Sequence, residues 1–173
     1  MISRYTRPEM GSIWDEAAQY ATWLEVELAA AEAMAELGVI PSEALEQVHR
    51  AIPPDPERVL EIERRTSHDV IAFLEAIEEQ IGAAARYLHL GLTSSDVLDT
   101  SLALRCVRAS DLLVAGCDEL VELFMAKALE YRHQPMVGRT HGIHAEPITL
   151  GLKFLRYYEE FRRAADRLRR ARE

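Results

Sequence analysis

The chain has 173 residues, is 49% hydrophobic and 28% charged, and carries a net charge of -9 at neutral pH. This apolar fraction can bury a core and excludes disorder by composition, while the acidic balance excludes general nucleic-acid binding, which needs a basic face to displace counterions from phosphates. No apolar run reaches the roughly eighteen residues of a membrane span, and the opening "MISRYTRPEM" has no apolar stretch of a secretory leader, so a cytoplasmic protein is expected.

In chain order, Ser12 precedes a periodic stretch with Ile13, Ala17, Tyr20, Leu24, Leu28, Ala31 and Leu37 on related faces, closed by Gly38 and Pro41. That spacing predicts one long first helix. Ser42 is expected to cap "EALEQVHRAI", with Leu45, Val48 and Ile52 inward, and Asp55 in "PPDP" to cap a further short helix. "SHDVIAFLEAIEEQIG" follows, with Val70, Leu74, Ile77 and Ile81 on one stripe and Gly82 as its stop.

From about Asp96 to His133 there is no proline and a single glycine, Gly116, while Leu98, Leu102, Leu113, Leu120, Phe124 and Ala128 recur at helical spacing. Such a helix is some three times the ordinary length of about twelve residues and must lean on other long helices. A second long helix is expected from Pro147, with Leu150, Phe154, Leu155, Tyr158, Phe161 and Leu168. No stop signal follows its last turns, which predicts a truncated chain. The fold class expected is therefore all-α: a helical N-terminal domain over residues 1–95, then the first long helices of an incomplete bundle over 96–173. No strand-rich region is expected. Cys106 and Cys117 share one helix and stand roughly 16 Å apart along its axis, too far to bridge. The six arginines from Arg162 to Arg172 read as a solvated or partner-facing helix end.

Three polar islands interrupt this pattern: "RRTSHDV" around His68, "HLGLTSSD" from His89 to Asp96, and "GRTHGIHAEP" from Gly138 to Pro147. Each sets a histidine beside hydroxyls or a carboxylate, a composition that lets backbone N–H groups and hydroxyls approach an anion. Thr93 and Ser94 begin the long helix, where an anion is favoured, although Ser94 or Ser95 can equally serve as a cap with Asp96 in the first turn. Ser67 can cap the helix that His68 enters, and a histidine there is disfavoured as a cation unless an anion sits close by. The spacing His141-x-x-His144 admits a metal, but no H-E-x-x-H and no paired cysteines accompany it. Acid–base work on a rigid connector is the alternative. His49 and His133 read as structural.

Taken together, "GRTHGIHAEP", "GLTSSDVLDT" and "RRTSHDV" resemble the adenylosuccinate lyase family of the fumarase and aspartase superfamily, over essentially the whole chain. The resemblance implies elimination of fumarate from adenylosuccinate, giving AMP, and from the succinyl-aminoimidazole carboxamide ribotide of purine synthesis. It implies His141 as the general acid toward the leaving nitrogen and His68 as the second catalytic histidine. Arg4 and Tyr5 match nucleotide contacts, Ser67 and Asp69 flank His68, Thr93 and Ser94 match hydroxyls that grip the fumaryl part, and His89 is similar to a further active-site histidine. No cofactor or metal is implied, and the partners implied are a purine nucleotide substrate and further copies of the chain, as a tetramer, with no nucleic acid or membrane.

One departure is large. The family's serine-rich loop, followed by Met-Pro-x-Lys-x-Asn and carrying the catalytic base, is absent from these residues, so the chain is expected to be inactive alone. Other superfamily chemistries, such as argininosuccinate cleavage or carboxymuconate cycloisomerisation, and a non-catalytic helical module remain as alternatives.

Overall fold

The computed structural model describes residues 2–173, which form two compact units, one reaching to Cys106 and the other Val107–Glu173. A 3-10 turn at Ser3–Tyr5 leads into helix α1 (Pro8–Trp14), followed by α2 (Glu16–Glu36), α3 (Ser42–Val48), α4 (Pro56–Thr66) and α5 (Asp69–Ile81). A second 3-10 turn (Gly82–Tyr87) precedes α6 (Ser94–Glu130), strands β1 (Pro135–Thr140) and β2 (Ile143–Thr149), and α7 (Leu150–Arg172). The chain is mostly helical, as expected, with one two-stranded sheet.

The expected first helix is two helices. Asp15 is extended and its side chain accepts from the Ala18 N–H at 2.7 Å, so Asp15, and not Ser12, caps α2. The carbonyls released at the end of α1 are met by Arg105, only 8% exposed. Its guanidinium donates to the Ile13 carbonyl at 2.8 Å and lies 5.0 Å over the Trp14 ring. Ser42 proves to be the first helical residue of α3, behind Pro41. Asp55 caps α4 by accepting from the Glu57 N–H, and Gly82 ends α5 at φ 61°, both as the sequence predicts.

The core of the first unit is built where apolar spacing on α2, α4 and α5 coincides. Tyr20 and Trp23 of α2 surround Phe73 of α5, with ring centroids 5.3–6.0 Å apart. Val48, Val59, Ile62, Val70 and Ile77 complete it, fully or almost fully buried. Arg58 of α4 grips Glu79 of α5 with both ends of its guanidinium, at 3.0 and 2.6 Å. Leu37 and Ile52, expected inward, are exposed because each lies past the end of its helix, in a connecting segment.

In the second unit, the last part of α6 and α7 run antiparallel. Phe124 meets Phe154, Tyr157 and Phe161 at 5.4–6.3 Å, and Tyr131 meets Phe154 at 6.1 Å. Gly151 permits the close approach: a Cβ there would stand 2.5 Å from the Ala128 carbonyl oxygen. The arginine-rich end of α7 is tied back to α6, Arg169 to Asp118 and Arg172 to Asp111. Leu102, Leu113 and Leu155, expected on the packed stripes, are exposed. Cys106 and Cys117 are free.

The stretch expected to be a connector ending in a helix at Pro147 is instead a β-hairpin. β1 and β2 pair antiparallel from Pro135↔Thr149 to Thr140↔Ile143, and α7 begins three residues after Pro147, capped by Thr149, whose hydroxyl accepts from the Leu152 N–H at 3.1 Å. The strands close through two residues with positive φ, His141 at 49° and Gly142 at 74°. That is the pattern of a tight hairpin turn whose twist matches the strands. A bulge falls between Val137 and Arg139, where a Cβ on Gly138 would meet the Glu146 carbonyl oxygen at 2.6 Å.

Candidate functional site

The first island lies where α4 ends and α5 begins. Ser67 closes α4 in the left-handed region, φ 52°, its N–H donating to the Glu63 carbonyl at 2.7 Å. The cap of α5 is therefore His68 itself, one residue later than expected, and its Nδ1 accepts from the Ile71 N–H at 3.4 Å. Asp69 Oδ1 also lies 3.4 Å from that Nδ1, but it already accepts from the Val70 N–H at 2.8 Å. With Nδ1 used as an acceptor, a neutral ring places its proton on Nε2. Nε2 stands 3.4 Å from Ser94 Oγ.

Ser94 reaches His68 because it is spared the duty of capping. Thr93 occupies the capping position of α6, and Asp96 reaches back to accept from the Thr93 N–H at 2.7 Å and its hydroxyl at 3.1 Å. This is the acidic half of a capping box. These two bonds, backbone first, hold the Asp96 carboxyl below the usual carboxylate range, and His89 adds a smaller push the same way. The first and second islands thus meet in one place, at His68 and Ser94.

His89 stands at φ 57°, and its neighbourhood contains a residue that the motif reading missed. Glu27 of α2, only 1% exposed, accepts from the His89 N–H at 2.6 Å and lies 2.7 Å from its Nδ1. The signal was present in the sequence: Tyr20, Leu24, Glu27 and Ala31 fall on one helical stripe, so an acid stands on the face that enters the core.

In the second unit, His141 and His144 are exposed on the hairpin, His141 at its tip and His144 opposite Arg139. Arg4 lies 4.8 Å over the ring of Tyr5, itself 74% exposed, in the first 3-10 turn. Among the described residues no hydrogen bond joins Arg4 or Tyr5 to His68, His89, Thr93 or Ser94, and no group of three or more His, Cys, Asp or Glu is arranged to hold a metal ion. A groove of about 680 Å³ flanks the hairpin, lined in part by Met136, Arg139, Leu152 and Arg156; no candidate histidine lines it.

Backbone strain marks all three islands. Among the described residues the non-glycine positions with positive φ are Ser67, His89 and His141. The left-handed region costs an L-residue about 1–2 kcal/mol, and such strain persists where the surrounding structure requires it, commonly at functional sites.

A mostly helical chain with polar, strained histidine islands at helix starts and on a hairpin has the architecture of a lyase of the fumarase and aspartase type. The sequence profile of the family described as Lyase matches residues 3–173, and the chain belongs to that family. Its relatives include proteins named adenylosuccinate lyase: that of Synechocystis sp. is 52% identical over 97% of this chain, and that of Bacillus subtilis 45% identical over 99%. The chain spans about 40% of the length of these relatives, 39% and 40% respectively. Among solved structures, the 3-carboxy-cis,cis-muconate lactonizing enzyme from Pseudomonas putida superposes with a TM-score of 0.90 at 30% identity, covering 98% of this chain and 40% of that one. A fumarate lyase from Mesorhizobium sp. gives 0.86, also at 30% identity, covering 93% of this chain and 39% of that one.

Proposed function

We propose that the chain is the front part of a cytoplasmic adenylosuccinate lyase, which eliminates fumarate from adenylosuccinate and from succinyl-aminoimidazole carboxamide ribotide. The observation that carries this reading is the coincidence of the three motif islands with the three strained non-glycine residues Ser67, His89 and His141. The identity of 45–52% to relatives of that name, against 30% to the muconate enzyme, favours this chemistry over cycloisomerisation.

Elimination takes a proton from the carbon beside a carboxylate, leaving a carbanion stabilised as an aci-carboxylate, and returns a proton to the departing nitrogen. In this reading His141 is the acid that protonates the nitrogen, and a rigid two-residue turn suits an acid that must be held still. His68, with its proton on Nε2 beside Ser94, is the second catalytic histidine and donates to a substrate oxygen. Thr93 and Ser94 hold the fumaryl carboxylates at the start of α6, where the helix dipole favours an anion. Ser67 and Asp69 shape the loop around His68, and Arg4 and Tyr5 contact the nucleotide. The catalytic base lies outside these residues, so the chain alone is inactive, and the exposed Leu112, Leu113 and Leu123 of α6 support assembly into a homo-oligomer.

The test is turnover by the complete protein that carries this chain. His141→Ala is expected to lower turnover of adenylosuccinate at least about a hundredfold with binding largely kept. Unchanged turnover would remove His141 from its role. Higher activity toward argininosuccinate or a carboxymuconate would replace the substrate assignment, and fumarate release by the 173-residue chain alone would overturn the claim that it lacks the base.

A further inference from the structure

We infer that Glu27 is a positioning residue for His89: its buried carboxylate turns the imidazole so that Nδ1–H points inward and Nε2 is the ring nitrogen offered to substrate. The geometry stands by itself; that the ligand is the substrate of an adenylosuccinate lyase rests on the function proposed above.

Among the described residues, Glu27 is the one acid in the set of largest fully buried side chains, with no exposed side-chain surface. A carboxylate in a core is costly unless hydrogen bonds compensate it, and here His89 supplies both, through its backbone N–H at 2.6 Å and its ring at 2.7 Å. His89 in turn sits in the left-handed region at φ 57°. Two unfavourable features are thus tied to each other, and neither is needed merely to turn the chain, because Gly91, two residues on, also adopts a positive φ. A staple for the loop would be satisfied by the backbone bond alone. The second bond acts on the ring.

A carboxylate can only accept, so Nδ1 must donate to Glu27. The ring keeps 18% of its side-chain surface exposed, and Nε2 has no hydrogen-bond partner among the described residues. Asp96, from the first turn of α6, is a further charged group close enough to His89 to interact with it. His68 and His89 consequently hold opposite tautomers, His68 with its proton on Nε2 and His89 with its proton on Nδ1. One presents a donor and the other an acceptor, or a second donor when His89 is protonated.

Glu27→Gln tests the orientation with little change of shape. If the amide oxygen keeps the bond from the His89 N–H, the amide NH2 faces Nδ1 and forces it to accept, which inverts the tautomer. Ring-¹⁵N-histidine spectra of the complete protein, with His89 assigned by His89→Gln, are expected to show neutral His89 with its proton on Nδ1, and on Nε2 in Glu27→Gln. kcat/KM for adenylosuccinate is expected to fall at least about tenfold with Tm nearly unchanged. A wild-type ring already protonated on Nε2 overturns the inference, as does an inverted tautomer with unaltered kcat/KM. Should Glu27→Gln fail to fold, the wild-type spectrum during substrate titration decides: the Nε2 resonance must move, and a response confined to Nδ1 refutes the assignment. A wild-type protein that turns over no adenylosuccinate removes the lyase reading, while the ring spectrum still judges the role of Glu27.

Discussion

Ser94 Oγ lies 3.4 Å from His68 Nε2, so the first residue of the longest helix meets the residue that caps α5. Two motifs 26 positions apart in sequence share one hydrogen bond, and the capping duty falls on one neighbour: Thr93 and Asp96 close the helix end while Ser94 faces His68.

That division predicts different phenotypes for adjacent residues. Thr93→Ala should cost about 1 kcal/mol in denaturant unfolding, the usual loss for a helix cap, and lower kcat/KM of the complete protein as well. Ser94→Ala should leave stability within about 0.5 kcal/mol and lower kcat/KM of the complete protein. A destabilising Ser94→Ala beside a neutral Thr93→Ala would reverse the assignment.

The left-handed residues separate stability from function. Ser67→Gly removes a Cβ from a disfavoured conformation at the end of α4 and should raise stability by up to about 1 kcal/mol. His141→Gly should be neutral or stabilising by the same logic yet should abolish turnover. Loss of stability at both positions would show that their side chains, and not their backbones, hold these turns.

Gly151→Ala should destabilise the second unit by about 1–3 kcal/mol, typical of overpacking, because the new methyl would meet the backbone of Ala128 and Arg132 at 2.5–2.8 Å. Neither neighbour is the free end of a side chain that can swing away. A Tm equal to that of the wild type would mean that α6 and α7 separate at no cost.

Asp96 sets a sign for acid sensitivity. Its folded pKa is depressed by the bonds from Thr93, so its contribution is present above its unfolded pKa and is lost as pH falls through the folded one. Stability should decline as pH drops below the ordinary carboxylate range, and Asp96→Asn should flatten that part of the curve. The carboxyl is solvent-exposed, so added salt should shrink the effect. An identical acid limb in Asp96→Asn would assign the sensitivity to other groups.

Elements specified locally were legible in the sequence. Asp55 and Gly82 announce their helix ends by residue type alone, and the long apolar repeats foretell α6 and α7. The break at Asp15 was hidden because apolar periodicity runs through it, and part of its support is Arg105, 90 positions away. The hairpin was hidden because His-Gly stands where Asn-Gly would announce the turn, and Pro147 reads as a helix start although it lies within a strand. In the candidate site, the islands were visible as composition and Glu27 as an acid on a core-facing stripe, whereas its pairing with His89 was not, since the two are 62 residues apart.

The hairpin register carries a consequence for how this segment can change over time. Its strands are pinned at both ends, Pro135 opposite Thr149 and Thr140 opposite Ile143, and its one irregularity is already taken by Gly138. Adding or removing a single residue on one strand would turn every later side chain to the opposite face and shift the helix that Thr149 begins. Descendants of this gene are therefore free to exchange exposed residues along the hairpin other than His141, but not to lengthen or shorten it: its history will be written in substitutions and not in gaps.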